Sequence, residues 1–261
     1  YEMQRSLVGS EMCIRDSYIC FVPDEELGEQ GARKLDLAKF PVDWAYTIDC
    51  CELGEVVWET FNAGNAKLTV KGIPAHPMSS KGVMVNPTLV VHDFLNMLDR
   101  AATPECTEGR EGFIVVKGIQ SNPSKAVLTM KVRDHNRKLY EEKKNLLRAA
   151  AEFLRVRHPR AGIELELSDS YANIADAVTN ENRRGIDCLY QALEETGVEA
   201  KTKAMRGGTD GSYLSVKGVL TPNYFTGAHN FHSNCEFLPM SSWEKSLGVT
   251  LKLMEIVARG E

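Results

Sequence analysis

Hydrophobic positions along the chain change their period several times, and each change predicts a different element. The apolar run Tyr18-Ile19-Cys20-Phe21-Val22 stops at Pro23 and an acidic turn, which predicts a short, buried central strand. Residues 45–48 predict a second buried strand that runs directly into Asp49. From about Glu59 the pattern alternates, with Ala66, Leu68 and Val70 set against Lys67, Thr69 and Lys71, as in a strand with one wet face. Leu89, Val90, Val91, Phe94, Leu95 and Leu98 then share one helical face, after Asn86-Pro87 as cap and first-turn pair. Two strands follow at residues 113–119 and 125–133. A second helix carries Leu139, Leu146, Leu147, Ala150, Phe153 and Leu154 and stops near His158-Pro159, and residues 163–167 alternate as a last strand.

The resulting order, β-α-β-β-α-β, is that of a ferredoxin-like α+β unit, and it predicts an inserted domain over residues 61–170. Beyond it come a helix near residues 180–195, a turn at 206–211, a strand near Val219 and a closing helix. Residues 18–60 and 171–261 are therefore expected to form one α/β domain around the insertion. Residues 1–17 show neither helical nor strand periodicity across Ser6 to Ser17. They resemble a translated sequencing-adapter leader and are set apart from the fold.

Composition narrows the function classes. With 261 residues, 43% hydrophobic and 26% charged, the chain has the makings of one large or two modest folded domains. A net charge of -5 with scattered Lys and Arg argues against nucleic acid and for a small-molecule partner. No apolar run approaches the roughly 20 residues of a membrane helix, and no signal core follows the start, so the cytoplasm is the expected compartment. Seven cysteines without C-x-x-C spacing suggest neither a disulfide framework nor a zinc ribbon.

Candidate chemistry concentrates in a few loops. Pro23-Asp24-Glu25-Glu26-Leu27-Gly28 packs three acids where a strand emerges, a repulsive arrangement that a cation would relieve. In an extended stretch one glutamate can ligate a metal while its neighbour faces the attacking water, although a solvated acidic turn at a helix start has the same sequence. Asp49 at a strand end and His232 in a polar loop offer an oxygen and an imidazole, a mixture zinc accepts. His76, between Pro74 and Pro77, is positioned to polarise a carbonyl or to be an ordinary turn histidine. Arg133 ends a strand face of Val127, Thr129 and Lys131, where it can clamp a carboxylate or simply be solvated. The Gly207-Gly208-Thr209-Asp210-Gly211 turn lacks the Lys-Ser/Thr ending of a nucleotide loop and is expected to border a site.

Four segments in order resemble the peptidase T (tripeptide aminopeptidase) branch of the dinuclear zinc exopeptidases, family M20. They are residues 23–28; residues 44–49 with Glu52-Leu53-Gly54-Glu55; Ala75-His76-Pro77 with residues 81–86; and residues 206–211 running on to His232. The resemblance implies a zinc-exopeptidase-type three-layer catalytic domain with a lid or dimerisation domain inserted in it. It implies Glu25 as general base, Glu26 and His232 as ligands of one zinc, and Asp49 as a ligand of a second. His76 would reach the scissile carbonyl, while Arg133, Asn86 and Arg206 would grip the C-terminal carboxylate of a short peptide. A homodimer through the inserted domain is a further implication. Related dipeptidases and N-acyl amino acid amidohydrolases share the scaffold, and a non-catalytic binding or dimerisation module is the alternative from outside enzymes.

Two departures qualify the expectation. Cys50-Cys51 stands where the family pattern has glycines beside the metal ligand. The family also draws a His-x-Asp pair and a bridging aspartate from a segment ahead of the acidic turn. Only the leader-like stretch stands there, so the chain is expected to be an inactive fragment of an active parent.

Overall fold

A computed structural model describes residues 4–6, 17–49 and 51–259. Much of the leader-like stretch and Cys50 lie outside the described residues. The chain forms two units, Phe61–Ala172 and the flanking segments up to Thr60 and from Asn173.

In the Phe61–Ala172 unit the alternating segments become four antiparallel strands. They are β5 (Asn62–Lys71), β6 (Phe113–Ser121), β7 (Lys125–Asp134) and β8 (Gly162–Tyr171), in the order β6-β7-β5-β8. Helices α2 (Pro87–Leu95) and α3 (Arg137–Arg157) pack on one face, which gives the ferredoxin-like arrangement. Asn86 caps α2 by accepting a hydrogen bond from the Thr88 N–H at 3.0 Å, with Pro87 in the first turn, and Asn136 caps α3 in the same way. Leu68, Val70, Leu128, Met130, Phe94, Leu147 and Leu154 fill the core between sheet and helices. The α3 face is rotated from the one the leucines predict. Leu147, Ala150 and Leu154 are buried as expected, but Leu139, Leu146 and Phe153 are exposed, and Tyr140, Lys144 and Ala151 are buried in their place. Lys144 on this face is tolerated because its ammonium meets Asp169 at 2.9 Å and Glu141 at 3.0 Å.

The flanking unit holds a mixed sheet of β3 (Thr47–Ile48), β4 (Glu55–Glu59), β9 (Lys201–Ala204) and β10 (Asn223–Tyr224), in the order β3-β10-β4-β9. β10 runs parallel to β3 and antiparallel to β4. Helices α4 (Arg184–Glu195) and α6 (Met240–Arg259) pack on each other and close a core of Val56, Val57, Leu189, Leu193, Tyr224, Phe225, Val249 and Ile256. Two short helices complete the unit, α1 (Gln30–Arg33) and α5 (Asp210–Val216).

The two strands expected to be buried differ from expectation. The first is shorter, β2 (Ser17–Ile19), and pairs only with β1 (Gln4–Ser6) in a two-stranded antiparallel ribbon, leaving Phe21 83% exposed. An apolar run becomes a central strand only where neighbouring strands flank it, and among the described residues no strand of either four-stranded sheet pairs with β2. The second is β3, at the edge of its sheet, with Ile48 47% exposed. The strand expected near Val219 lies at Asn223–Tyr224, preceded by a bridge between Leu220 and Trp44. Among the described residues no helix is long and apolar enough to cross a membrane.

Candidate active site

The acidic loop takes its shape from backbone conformations that few side chains adopt. Asp24 and Glu29 sit at φ 62° and 58°, in the left-handed region, and Gly28 at φ 95°. The Glu25 carbonyl accepts from the Gly28 and Glu29 N–H groups at 2.9 and 2.8 Å, which folds the loop back into α1. A side chain at Gly31 would run into the Pro23 carbonyl, so this close return needs glycine. Glu29 is buried and paired with Arg33 at 2.9 Å. Glu25 is consequently turned inward and half-buried, while Glu26 is exposed.

Asp49 leaves the end of β3, where its N–H donates to the Asn223 side-chain oxygen on neighbouring β10 at 3.3 Å. His232 comes from the loop before α6 and also has a left-handed backbone, φ 61°, fixed by an N–H bond to Glu236 at 2.8 Å. Such a conformation in a non-glycine residue stores strain that the surrounding structure must hold. It brings His232 Nε2 to 2.8 Å from Glu26 Oε1.

These groups line a cleft of about 720 Å³ that includes Glu25, Glu26, Asp49 and His232, with Gly207, Gly208 and Thr209 along another wall. Burial pushes the Glu25 carboxyl up to about 7, and the carboxylates of Asp49, Asp210, Glu26 and Glu29 push in the same direction. Asp49 is raised by burial and by Glu26, against a lowering pull from His232. Asp210 is raised to about 6 by burial and by Asp49, and its Oδ1 is buried without a hydrogen-bond partner among the described residues. The concentration of carboxylates is the kind of field a divalent cation neutralises, and carboxylate with imidazole is a donor set such a cation accepts. Among the described residues, however, no three His, Cys, Asp or Glu side chains converge closely enough to hold a metal ion. The donor chemistry fits; the geometry supplies one pair in contact, Glu26 and His232, with Asp49 electrostatically coupled to both.

The remaining residues singled out in the sequence divide between the units. Arg206 precedes the glycine wall of the cleft in the flanking unit, whereas His76, Asn86 and Arg133 belong to the Phe61–Ala172 unit. His76 is exposed and its Nδ1 accepts from the Met78 N–H at 3.2 Å, which leaves Nε2 as the outward nitrogen. Asn86 uses its side-chain oxygen as the α2 cap. Arg133 lies 4.9 Å over the Tyr171 ring, and its Nη1 is buried without an acceptor among the described residues. Asp210 is named in the sequence only as part of the turn expected to border a site, and Asn223 is not named there. The only signal for Asp210 was its place directly after Thr209 in the glycine turn, where an exposed first-turn acid is the ordinary outcome.

Residues 58–160 match the sequence profile of the peptidase dimerisation domain of the M20 peptidases. The chain is 48% identical over 243 residues to a Peptidase T-like protein of Rhizobium meliloti, which covers 93% of this chain and 59% of that protein. It is 43% identical over 241 residues to a Peptidase T of Parabacteroides distasonis, covering 92% and 59%. The chain thus spans well under two thirds of the length of these curated relatives. Its fold is similar to that of a tripeptidase from Staphylococcus aureus, with TM-score 0.77 at 20% identity over 91% of this chain and 63% of that one. A dinuclear metal binding peptidase of the M20 family from Bacillus subtilis gives TM-score 0.69 at 16% identity, over 92% and 64%.

Proposed function

From a chain that is homologous to the Peptidase T proteins over most of its length and carries an M20 peptidase dimerisation domain, we infer a metal-dependent aminopeptidase that releases the N-terminal residue of tripeptides. The observation that carries the reading is Glu25, whose carboxyl is raised to about 7 by burial and the neighbouring acids, in a cleft beside the Glu26–His232 pair.

Glu26 and His232 would hold one zinc ion and Asp49 would contribute to a second. Bound zinc would supply Lewis acidity toward a carbonyl oxygen and toward water. Glu25 takes the proton of the attacking water and returns it to the leaving amine nitrogen, a task suited to a carboxyl that titrates near the working pH. His76 donates from Nε2 to the carbonyl oxygen as negative charge develops there. Arg133, Asn86 and Arg206 receive the C-terminal carboxylate, and fixing both ends of the substrate selects for short peptides. A homodimer through the Phe61–Ala172 unit belongs to the same reading. So does a cytoplasmic setting, which suits the free cysteines 20, 51, 106, 188 and 235.

The test is a substrate panel on the full-length protein with zinc supplied. Tripeptides should be cleaved at the first bond, dipeptides and N-acyl amino acids should not, and Glu25→Gln should lower kcat by at least about a hundred-fold. Glu25→Gln cleaving tripeptides at the unaltered rate would remove the assigned base. Preferential cleavage of acylated amino acids would replace the peptidase by an amidohydrolase.

A further inference from the structure

The open face of the Phe61–Ala172 sheet, opposite its two helices, carries an uneven distribution of charge. Lys131 and Arg133 alternate along β7 with buried Met130 and Val132, so both project from that open face. Asn65 on β5 stands directly opposite Lys131. Lys117 occupies the register irregularity of β6 between Val116 and Gly118, beside the same stretch of β7.

Two lysines of this sheet have carboxylate partners, and Lys117, Lys131 and Arg133 do not. Lys67 meets Glu166 at 2.8 Å and Lys71 meets Glu164 at 2.9 Å, from β5 to β8. Asp134 and Asp169 are held by Lys143 and Lys144 of α3. Among the described residues neither Lys117, Lys131 nor Arg133 has a carboxylate within ion-pair distance. Arg133 instead stacks on Tyr171 with a buried, unsatisfied Nη1. Burial, Arg133 and Lys117 all hold the Lys131 ammonium below its ordinary range, so the charges on this face repel one another unrelieved.

We propose that Lys117, Lys131 and Arg133 form a site for a ligand with two carboxylates, the acidic C-terminal residue of a short peptide. The peptide identity rests on the function inferred above; the charge arrangement does not. The planar guanidinium of Arg133 takes the main-chain carboxylate in a bidentate pair, with its orientation fixed by the Tyr171 ring. Lys131 lies two residues away on the same face, about 7 Å along the strand. Its flexible stem, with Lys117 alongside, takes the second carboxylate of an aspartate or glutamate side chain. Peptides with a neutral last residue would use only the Arg133 half of the site.

The experiment titrates the full-length protein with N-acetyl-L-glutamate, N-acetyl-L-alanine and inorganic phosphate at low ionic strength, by calorimetry. It also compares kcat/KM for Ala-Ala-Glu and Ala-Ala-Ala. The expected result is about ten-fold tighter binding of N-acetyl-L-glutamate than of N-acetyl-L-alanine, a difference of ~1.4 kcal/mol. Lys131→Gln should abolish that difference and Lys131→Arg should retain it. Equal affinity for the two acids, or a preference untouched in Lys131→Gln, overturns the proposal, and phosphate binding more tightly than N-acetyl-L-glutamate overturns the carboxylate assignment in favour of a phosphate site. Tripeptide cleavage without an acidic preference sinks this site and leaves the peptidase standing. Lys131-dependent glutamate binding without tripeptide cleavage does the reverse.

Discussion

Replacing Glu25 with glutamine should stabilise the metal-free protein at pH 8 and leave it nearly unchanged at pH 4. The folded carboxyl titrates near 7 against an ordinary value of 4.5, so the folded state holds its proton more tightly than the unfolded state does. Below about pH 4.5 both states are protonated and nothing is lost. As pH rises from there toward 7 the unfolded state ionises first, and the native state loses stability until its own carboxyl ionises. The interval from 4.5 to about 7 bounds the loss at roughly 3 kcal/mol. Because Glu25 is only half-buried, solvent screening reduces the expected gain to ~1 kcal/mol, or about 2–4 °C in Tm. Glutamine carries no charge and keeps the shape, so it removes the penalty without opening a void. Removing one member of a coupled acid set also relaxes Asp49 and Asp210, so the full titration will not be a single-site curve. The assay is thermal melting of wild type and Glu25→Gln in chelator across pH 4 to 8, repeated with zinc. Zinc should shrink the pH 8 difference, because a cation offsets the same repulsion. A gain independent of pH, or a Glu25→Gln variant less stable than wild type at pH 8, would refute the electrostatic account.

Other perturbations test the supports of the cleft and the sheet. Gly31→Ala forces a methyl group into the Pro23 carbonyl and should cost ~1–3 kcal/mol, with NMR shift changes centred on residues 23–29. Thr209→Ala removes the capping box made with Ser212 at the start of α5 and should cost ~1 kcal/mol in urea unfolding. Tyr140→Phe deletes the 2.6 Å bond to Asp169; since Lys144 still holds that carboxylate, the loss should stay near ~1 kcal/mol.

Legibility in the sequence followed how locally each element is determined. In β5 and β7 the apolar alternation alone selects the inner face, and the register pairs Leu68 with Leu128 across ten consecutive partners. The α2 start was equally plain, because Asn86 and Pro87 act within one turn of their own positions. Tyr18 to Val22 misled for the opposite reason, since burial of a strand depends on partners elsewhere in the chain. The inner face of α3 includes Lys144, whose partner Asp169 lies on β8, a tertiary pair that no helical period contains. Asp210 was illegible for the same kind of cause. Its 6% exposure and its coupling to Asp49 arise from segments more than 150 positions apart in the chain.

The cleft shows why its residues could be named from motifs while their arrangement could not. It gathers the acidic loop, the end of β3, the glycine turn and the loop before α6, and each has its own local lock. Left-handed residues shape the first and last, Asn223 fixes the Asp49 backbone, and the Thr209–Ser212 box fixes the turn. The left-handed residues and the Thr209–Ser212 box lie outside the hydrophobic core of Val56, Leu189, Phe225 and Ile256, whereas Asn223 meets its edge, opposite Val57 and bonded to the Cys51 sulfur. The carboxylates therefore oppose one another on a scaffold stabilised mainly by that core, and their repulsion can be retained without unfolding the sheet. That separation predicts where damage falls. Substitutions in the α4–α6 core should lower Tm without altering the titration of Glu25, whereas Asn223→Ala should move Asp49 and with it the Glu25 titration. A 13C-detected titration of the Glu25 side chain in both kinds of variant distinguishes the two, and a core substitution that shifts it as far as Asn223→Ala would break the argument.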